Sequence, residues 1–498
     1  MTSSLPYQWL FVRLSRRFSL AFLAALGLYL VVAFPRLVGA ISTLNPPVLL
    51  EGLAVVLLAL AGVLASLWAA TAVYRLAPPR PVRWHRTSPS PEPPRLPGGS
   101  RALGRYERLG VILAGGGAKG AYQAGSLSAI RDFLAERDAL DRVRMVAATS
   151  IGAWNACFWL ADRLGGDDSL CERWWSRIRL SEVVAPTYYL PGHRNYVLSA
   201  APWRRAFREL FAEDPASRAR IERHLEGPDE PGSVRFYLTR TNVERAHLEF
   251  STNRADLTDV DNASGRRRPL VPGDRWLRAE TVDDVEEAVF ASMDLPPLFQ
   301  NIRIGDEIFE DGGVIDNLPI YFGTGIEKCD LLFVLPLNAS FTAAAEFKSV
   351  FKRLERVMTI RQGALERKAL KDVYLYNELA ALRGRLRDDP PDASSPAEPS
   401  GVPPSAAEAL REASRRTLAE RAERRVHRPV QIFAVCPDEP LLLDTVEFWK
   451  TEEAGRAFRT MREHTRYELD KFDFHAPPNW IRVALIGTRG EVRYLEDF

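Results

Sequence analysis

Cysteine is scarce in this chain, and neither sign of charge predominates. Lysine and arginine number 66 against 64 acidic residues, a formal net charge of +2, and no basic groove with interleaved aromatics is evident. Nothing therefore indicates nucleic-acid binding. The absence of a Cys-x-x-Cys pair argues against a zinc site or a disulfide framework and suits a reducing compartment. The four cysteines, which are scattered, are Cys157, Cys171, Cys329 and Cys436. The sequence also has no internal repeat.

Two long apolar runs stand near the N-terminus. Residues 18–35 and 52–73 carry no charged side chain. A bilayer core of about 30 Å needs about 20 apolar residues in a helix. The second run meets this length, and the first does so if it continues past Arg36 to Ile41. We therefore expect two transmembrane helices. The alternative for the first run is a signal peptide with a cleavage site at residues 38–40.

The distribution of arginine predicts the orientation of this anchor. Residues 13–17 hold three arginines and residues 75–86 hold four, whereas only Arg36, opposed by Glu51, lies between the runs. The positive-inside rule then places both flanks in the cytoplasm. Frequent Arg, Ala, Leu and Pro are typical of bacterial proteins. We therefore expect a multi-pass protein of the bacterial inner membrane with its catalytic domain in the cytoplasm.

A glycine-rich loop, GGGAKG at residues 115–120, follows the apolar run 109–114 and precedes a helix-like segment. Glycine lets the backbone approach a ligand closely, and N–H groups at a helix N-terminus favour an anion. The loop satisfies the dinucleotide fingerprint, with Glu136 or Asp138 as the ribose-binding acid. The same N–H groups could instead form an oxyanion hole, with Lys119 adding positive charge nearby.

Ser150 lies between a strand predicted within residues 141–148 and an apolar helix that opens at Gly152. A serine at a sharp strand-to-helix turn is the nucleophile elbow. Such a turn strains the backbone at the serine, so its neighbours must be small. Gly152 and Ala153 meet this need, and Ala148 stands where the usual GxSxG has glycine. The alternative for Ser150 is the N-cap of a structural helix.

Asp311 is expected at the end of a strand, after a hairpin that turns near residues 305–306. Gly312 and Gly313 follow it and keep the space around it open. An anion-binding loop, a nucleophile and an acid/base partner are the minimum for acyl transfer through a serine ester. A carboxylate has an ordinary pKa of about 3.9, so it can serve as the base only in a shielded site that stabilises the transition-state charge.

Together the three motifs resemble the patatin-like phospholipase family. Its pattern is GGGxxG with a basic residue, then GxSxG, then DG[GA], and this chain has GGGAKG, ATSIG and DGG in that order. The segments ASMDLPPLF at 291–299 and DGGVIDNLP at 311–319 also look like that family. The resemblance covers residues 108–337, with weaker echoes at 430–449. It implies a patatin-like three-layer α/β/α sandwich with a mainly parallel central sheet, preceded here by the two transmembrane helices.

The resemblance also implies a Ser–Asp dyad that works without histidine, cofactor or metal. Ser150 would be the nucleophile and Asp311 the base. The other positions carried over are the oxyanion-loop residues Gly115, Gly116, Gly117 and Lys119 and the motif glycines Gly120, Gly152, Gly312 and Gly313. The expected activity is hydrolysis of carboxylic esters of membrane phospholipids or other acyl lipids, of the phospholipase A or lysophospholipase type. Asp294 stands where the family usually has a small residue.

Two other functions remain open at this point. An α/β-hydrolase orders its triad Ser…Asp…His, which Ser150, Asp311 and one of His427, His464 or His475 would fit. Histidine is the usual base because its pKa lies near 7. Alternatively, the domain is a catalytically silent membrane scaffold. Mutation of each histidine, and of Ser150, would discriminate among the three.

The length of 498 residues favours two or three units. We predict a membrane anchor at 1–77, a Pro-rich tether at 78–104, the catalytic domain at 105–345, and a helical and linker region at 346–498 whose C-terminal segment completes that domain. A strand at 430–435 is expected to return to the main sheet. The tryptophans at 174, 175 and 203 are expected to pack in the core. The alternative is that they line an acyl pocket or contact the membrane interface.

Overall fold

The structure is a computed structural model that describes residues 103–186, 196, 198–260, 267–296, 298–338, 350–388, 429–439, 441–478 and 481–495. Contacts divide the chain into two units. One comprises Met1–Arg83 and Pro186–Val197, of which only Pro186 and Tyr196 are described. The other comprises Trp84–Ala185 and Leu198–Phe498 and contains the candidate site.

Both predicted membrane spans, residues 18–35 and 52–73, lie outside the described residues, as does almost all of the predicted tether. In the segments that the structure does describe, no helix combines the length and the apolar character needed to cross a bilayer. The anchor and its orientation therefore stay predictions.

Fifteen strands are present in the described segments. They are β1 Leu109–Leu113, β2 Val143–Ala148, β3 Ala185–Pro186, β4 Leu198–Ser199, β5 Arg235–Asn242, β6 His247–Thr252, β7 Thr258–Val260, β8 Arg267–Pro269, β9 Trp276–Arg278, β10 Ile302–Ile304, β11 Glu307–Asp311, β12 Leu331–Leu335, β13 Gln431–Pro437, β14 Val483–Ile486 and β15 Val492–Leu495.

Nine α-helices accompany these strands in the same segments. They are α1 Gly120–Glu136, α2 Ile151–Leu160, α3 Leu170–Arg177, α4 Leu180–Val183, α5 Ala201–Phe207, α6 Pro215–Glu226, α7 Val282–Ser292, α8 Val350–Asp388 and α9 Thr451–Lys471. Short 3₁₀ turns lie at Gly117–Lys119, Leu140–Arg142, Gly273–Arg275 and Gly312–Val314, and π turns at Arg208–Ala212 and Phe322–Ile326.

The main sheet has the strand order β10-β11-β5-β2-β1-β12-β13-β14-β15, with β6 beside β5 and β9 beside β6. Neighbours from β5 through β14 along this order are parallel, and antiparallel pairs close both ends. All five residues of β1 are buried, as expected for a central parallel strand covered on both faces. The prediction of a mixed α/β fold with a mostly parallel central sheet is confirmed.

Alternating residues of β1 divide the apolar core between the two faces of the sheet. Leu109, Val111 and Leu113 belong to one cluster with side chains of α1, α2, α7 and α9. Ile112 belongs to the other cluster, where Leu370 of α8 packs. This alternation is the two-residue period of a strand. Helices therefore cover both faces of the sheet.

Strand order brings the predicted motifs together. β2 lies beside β1, so the turn that follows Ala148 lies beside the glycine loop that follows Leu113, at the carboxyl edge of the sheet. β5 lies on the other side of β2, and β11 pairs with β5 so that Asp311 is opposite Arg240. The carboxyl edge is where ligands bind in open α/β sheets. The strand expected at 430–435 is β13, which pairs in parallel with β12.

Candidate active site

Ser150 occupies a sharp turn between β2 and α2. Its backbone has φ 55° and ψ −126°, a conformation that a residue with a Cβ rarely adopts. Its N–H donates to Ser292 Oγ at 2.8 Å, and this bond helps to hold the strained turn. No side chain accepts a capping hydrogen bond at this position, so Ser150 does not serve α2 as a side-chain N-cap. The geometry is that of a nucleophile elbow.

Small residues surround the turn, as its geometry requires. Ala148 ends β2 and is fully buried, in the position where the usual motif has glycine. A Cβ on Gly152 would stand 2.7 Å from the carbonyl oxygen of Leu113. The turn therefore tolerates the extra methyl of Ala148 before the serine but leaves no room for a side chain at Gly152.

Asp311 ends β11 and reaches the serine directly. Ser150 Oγ donates a short hydrogen bond to Asp311 Oδ2, across 161 positions of sequence. Asp311 Oδ1 accepts from the N–H of Gly313 at 2.7 Å. The backbone of Asp311 is fixed as well, because its carbonyl accepts from Thr241 Oγ1 at 2.9 Å. Both carboxylate oxygens thus have defined partners, and one of them is the serine hydroxyl.

Burial makes Asp311 a stronger base than an ordinary carboxylate. Only 3% of the residue is exposed. Loss of solvent raises the pKa of Asp311 to about 6, and the hydrogen bonds from Ser150 and Gly313 oppose that rise. Burial disfavours the ionised form. A base with a higher pKa accepts a proton more readily, which is the direction that general-base catalysis needs.

The glycine loop presents backbone N–H groups beside Ser150. Gly116 and Gly117 line the same cavity as Ser150 and Asp311. Neither N–H has an acceptor among the residues that the structure describes. Gly117 has φ +59°, and a Cβ there would collide with the carbonyl oxygen of Thr445, so the loop needs glycine at this position. These two N–H groups are therefore available to an anion in the cavity.

Gly115 and Lys119 lie elsewhere. The N–H of Gly115 donates to the carbonyl of Asn317 at 3.3 Å, so it is not available to an oxyanion. Lys119 is 98% buried, since its relative exposure is 2%, and its Nζ donates to Asn338 Oδ1 at 2.8 Å. Neither residue lines the cavity. Lys119 was expected to place a positive charge at the oxyanion, but it is buried outside the cavity lining and bonds to Asn338 instead.

The other motif glycines frame the two functional side chains. Gly120 begins α1 directly after the loop. Gly312 and Gly313 form the 3₁₀ turn that Asp311 caps, and Gly313 supplies the N–H bound by the carboxylate. These glycines act through backbone geometry, because glycine has no side chain to offer a ligand.

The cavity beside the dyad has a volume of about 70 Å³. Most of its walls are apolar, which suits the acyl chain of a lipid better than a charged substrate. The apolar lining includes Leu180, Val184, Leu198, Trp203, Phe299 and Phe448. Trp174 and Trp175 are buried core residues, whereas Trp203 both lines the cavity and packs against Trp154 at 5.4 Å between ring centroids. Core packing and pocket lining thus coexist in this aromatic group.

No histidine of the described segments lines the cavity or hydrogen-bonds to Ser150 or Asp311. His464 lies within α9, and the backbone N–H of His475 bonds to Asp473 at 2.8 Å on the surface. His427 falls outside the described residues.

The dinucleotide alternative also lacks support. Glu136, one of the two acids expected to bind a ribose, lies at the opposite end of α1 from the glycine loop and accepts a hydrogen bond from Arg466.

The described segments contain no group of three or more His, Cys, Asp or Glu side chains arranged to hold a metal ion. The four cysteines are all buried and form no disulfide, and burial raises the pKa of Cys157 well above its usual range. These thiols are therefore packing groups of the core.

Two buried acidic residues near the site were given no role by the sequence. Asp294 is 3% exposed, and burial, together with Glu310 and Asp311, raises its pKa to about 8. Its backbone carbonyl accepts the N–H of Asp311 at 2.9 Å. Glu366 of α8 is fully buried behind the glycine loop. Asp294 was visible as an unexpected charge in its segment, whereas Glu366 is one of many charged residues in a helix-like stretch.

Part of the chain is similar to a known protein family. Residues 111–322 match the family model described as patatin-like phospholipase. No curated protein matches the chain. Solved structures that match include the crystal structure of VipD from Legionella pneumophila, with 13% sequence identity, 73% of this chain and 67% of that chain covered, and a TM-score of 0.31. The family match identifies a patatin-like phospholipase domain within this chain, and such a domain indicates a lipid acyl hydrolase.

Proposed function

We propose that this protein cleaves carboxylic esters of membrane phospholipids, as a phospholipase A or lysophospholipase, with Ser150 and Asp311 as its catalytic dyad. The observation that carries the proposal is the direct hydrogen bond from Ser150 Oγ to Asp311 inside an apolar cavity. The family match over residues 111–322 supports a lipid as the substrate class. Helices on both faces of the sheet support the three-layer sandwich of that family.

In the first half-reaction, Asp311 takes the hydroxyl proton of Ser150 as Ser150 Oγ attacks the ester carbonyl carbon. The tetrahedral intermediate carries its negative charge on the former carbonyl oxygen. The N–H groups of Gly116 and Gly117 have no other acceptor among the described residues and would bind that oxygen. Collapse breaks the bond to the alcohol, which leaves with the proton from Asp311, and an acyl ester of Ser150 remains.

In the second half-reaction, Asp311 takes a proton from water as the water oxygen attacks the acyl ester. A second tetrahedral intermediate forms on the same N–H groups. Its collapse releases the fatty acid and returns the proton to Ser150 Oγ. Every proton that moves passes through Asp311, so the cycle needs neither histidine nor a redox partner.

The proposed location is the bacterial inner membrane, with the catalytic domain on the cytoplasmic side. The predicted spans at 18–35 and 52–73 and the arginines around them support it. An anchor of this kind raises the effective concentration of the active site near its lipid substrate. This part of the proposal rests on the sequence alone.

The decisive experiment measures fatty-acid release from mixed phospholipid vesicles in EDTA. The variants are Ser150→Ala, Asp311→Asn and alanine at His427, His464 and His475. Ser126→Ala is the matched control, because Ser126 is a buried serine that bonds to Thr465 at 2.8 Å, outside the cavity. We expect the first two variants to lose activity by at least about 10³-fold. The control and the three histidine variants should retain it.

Each other outcome has a defined meaning. Loss of activity in one histidine variant would replace the dyad by a Ser–Asp–His triad. Activity that survives in Ser150→Ala would refute Ser150 as the nucleophile. A folded wild-type protein with no activity on any diacyl or lysophospholipid would refute the hydrolase and favour a membrane scaffold.

A further inference from the structure

A cluster of four buried polar residues is hydrogen-bonded around Gly115 of the glycine loop, and none of the four lines the cavity. Its members are Lys119, Asn317, Asn338 and Glu366, which we call the loop network. Each has a relative exposure of 2% or less. They come from four separate parts of the chain: the loop itself, the segment after Asp311, the segment after β12, and α8. The dyad mechanism above makes no use of them.

The network converges on one atom of the loop, the carbonyl oxygen of Gly115. Asn317 Nδ2 donates to this oxygen at 3.0 Å, and Asn338 Nδ2 donates to it at 3.2 Å. The carbonyl therefore has two side-chain donors that approach from outside the loop. The N–H of Gly115 is held too, by the backbone carbonyl of Asn317 at 3.3 Å.

Glu366 organises the two donors. Its Oε1 accepts from Asn317 Nδ2 at 2.7 Å and from Asn338 Nδ2 at 2.9 Å, and its Oε2 accepts from the backbone N–H of Asn338 at 2.8 Å. A side-chain amide has two N–H donors. Each asparagine thus donates one N–H to Glu366 and the other to the Gly115 carbonyl oxygen. The bond to Glu366 determines the direction of the N–H that binds Gly115.

Lys119 fixes the orientation of one amide. Its Nζ donates to Asn338 Oδ1 at 2.8 Å. An ammonium group can only donate, so Asn338 must turn its oxygen toward Lys119 and its NH₂ toward Glu366 and Gly115. The lysine of the glycine-rich motif thereby acts on Gly115 through the Asn338 amide, and it does not line the cavity.

The direction of the Gly115 carbonyl has a direct consequence for catalysis. In a planar trans peptide group the C=O and the N–H point in opposite directions. A Gly115 carbonyl that points into the loop network therefore turns the N–H of Gly116 the other way, and Gly116 lines the cavity with Ser150. If this peptide turned over, a carbonyl oxygen would face the developing negative charge.

We propose that Glu366 is a positioning residue that, through Asn317 and Asn338, locks the Gly115 carbonyl and so aims the Gly116 N–H at the oxyanion. This inference rests on the proposed serine hydrolase mechanism and adds a residue on a distant helix to it. Glu366 touches neither substrate nor dyad. Its contribution is the preorganisation of one donor, which is the form of oxyanion stabilisation that requires no rearrangement during the reaction.

The test compares Glu366→Gln and Glu366→Ala with Asn377→Ala in the full-length, detergent-solubilised protein. Asn377 is a matched control on the same helix. It is also buried and bonded, with Nδ2 at 2.8 Å from the carbonyl oxygen of Val430 and Oδ1 at 3.0 Å from the Val430 nitrogen. Its bonds hold α8 to the sheet and do not involve the glycine loop. Measurements are kcat and KM on a soluble acyl ester, and the rate at which a fluorophosphonate labels Ser150.

We expect kcat and the labelling rate to fall about 10-fold in Glu366→Gln and about 100-fold in Glu366→Ala, with KM changed less than about twofold. Glutamine is less damaging because its oxygen can still accept from both asparagine side chains, although its NH₂ cannot accept the Asn338 N–H that Oε2 accepts. Asn377→Ala should lower the unfolding temperature but keep kcat within about twofold. All of these changes require the variants to be folded, which circular dichroism checks.

Two results would overturn the inference while leaving the hydrolase in place. One is an unchanged kcat and labelling rate in both Glu366 variants. The other is an equal loss of kcat in Asn377→Ala, because Glu366 would then serve only to hold the helix. A wild-type protein that neither hydrolyses esters nor reacts with the phosphonate at Ser150 would overturn the proposed function and the role of Glu366 together.

Discussion

Replacement of Asp311 by asparagine should abolish activity and also stabilise the fold. Burial raises the pKa of the Asp311 carboxyl from its ordinary 3.8 to about 6, against the opposing hydrogen bonds from Ser150 and Gly313. The folded state therefore binds a proton more tightly than the unfolded chain does. At neutral pH the ionised carboxylate is held in a place that disfavours it. Asparagine has nearly the same shape and carries no charge, so it removes this penalty.

The magnitude follows from the size of the rise. A pKa increase from 3.8 to about 6 corresponds to about 3 kcal/mol, at 1.36 kcal/mol for each pKa unit. Above pH 6 both states of the wild-type chain are ionised and the full penalty acts. As the pH falls from 6 to 4 the folded state takes up its proton first, and most of the penalty disappears. The advantage of Asp311→Asn should therefore be about 2.4 kcal/mol larger at pH 8 than at pH 4.

Urea unfolding of wild type and variant between pH 4 and pH 8 measures this difference. Ser150→Ala is the matched comparison, because it also lacks activity but keeps the carboxylate and loses the hydroxyl that favours its ionised form. Its stability should fall with rising pH at least as steeply as that of the wild type. An advantage of Asp311→Asn that does not depend on pH would refute the reasoning, since burial would then not perturb this carboxyl.

Three further results are expected. The kcat/KM should rise with pH in two steps, governed by the pKa of Asp311, about 6, and the pKa of Glu366, which burial raises to about 7 against the opposing hydrogen bonds from Asn338 and Asn317 and the facing charge of Lys119. A pH–rate profile of Glu366→Gln should lose only the upper step. Asp294→Asn should stabilise the fold increasingly from pH 4 to pH 8, because burial and the charges of Glu310 and Asp311 raise the Asp294 pKa to about 8; equal urea midpoints at pH 8 would contradict this. Gly117→Ala should lower the free energy of unfolding by about 1–2 kcal/mol or more and slow fluorophosphonate labelling of Ser150, because alanine would have to adopt φ +59° with its Cβ against the Thr445 carbonyl oxygen. An unchanged labelling rate would show that the loop tolerates a Cβ.

Much of the fold and the main features of the site could be predicted from local sequence. The continuous apolar runs before the glycine loop and before Ser150 predict buried parallel strands, and β1 and β2 are such strands. Gly117 has a positive φ that other residues adopt less easily, so the glycine-rich sequence by itself predicted the loop. The predicted pairing of Ser150 with Asp311 rested on resemblance, since 161 positions separate them.

The positions of Lys119 and Glu366 could not be predicted from sequence. A lysine in a glycine-rich loop beside a proposed oxyanion hole looks like a charge donated to the substrate, yet Lys119 is buried and bonded to Asn338. Glu366 lies in a strongly charged stretch where nothing distinguishes it from its exposed neighbour Lys368. Its burial depends on the way α8 packs on the second face of the sheet, where Leu370 and Val373 are also buried.

The sequence by itself therefore determined the elements whose chemistry is local: a glycine loop, a serine on a tight turn, an aspartate at a strand end, and strands that must be buried on both sides. Only the tertiary structure decided which residues of the loop line the cavity and which carboxylate bonds to the two asparagines at Gly115. The reason is physical. Backbone conformation depends mainly on neighbouring residues, whereas the loop network joins positions 119, 317, 338 and 366 to Gly115 through hydrogen bonds that exist only once strands and helix have packed.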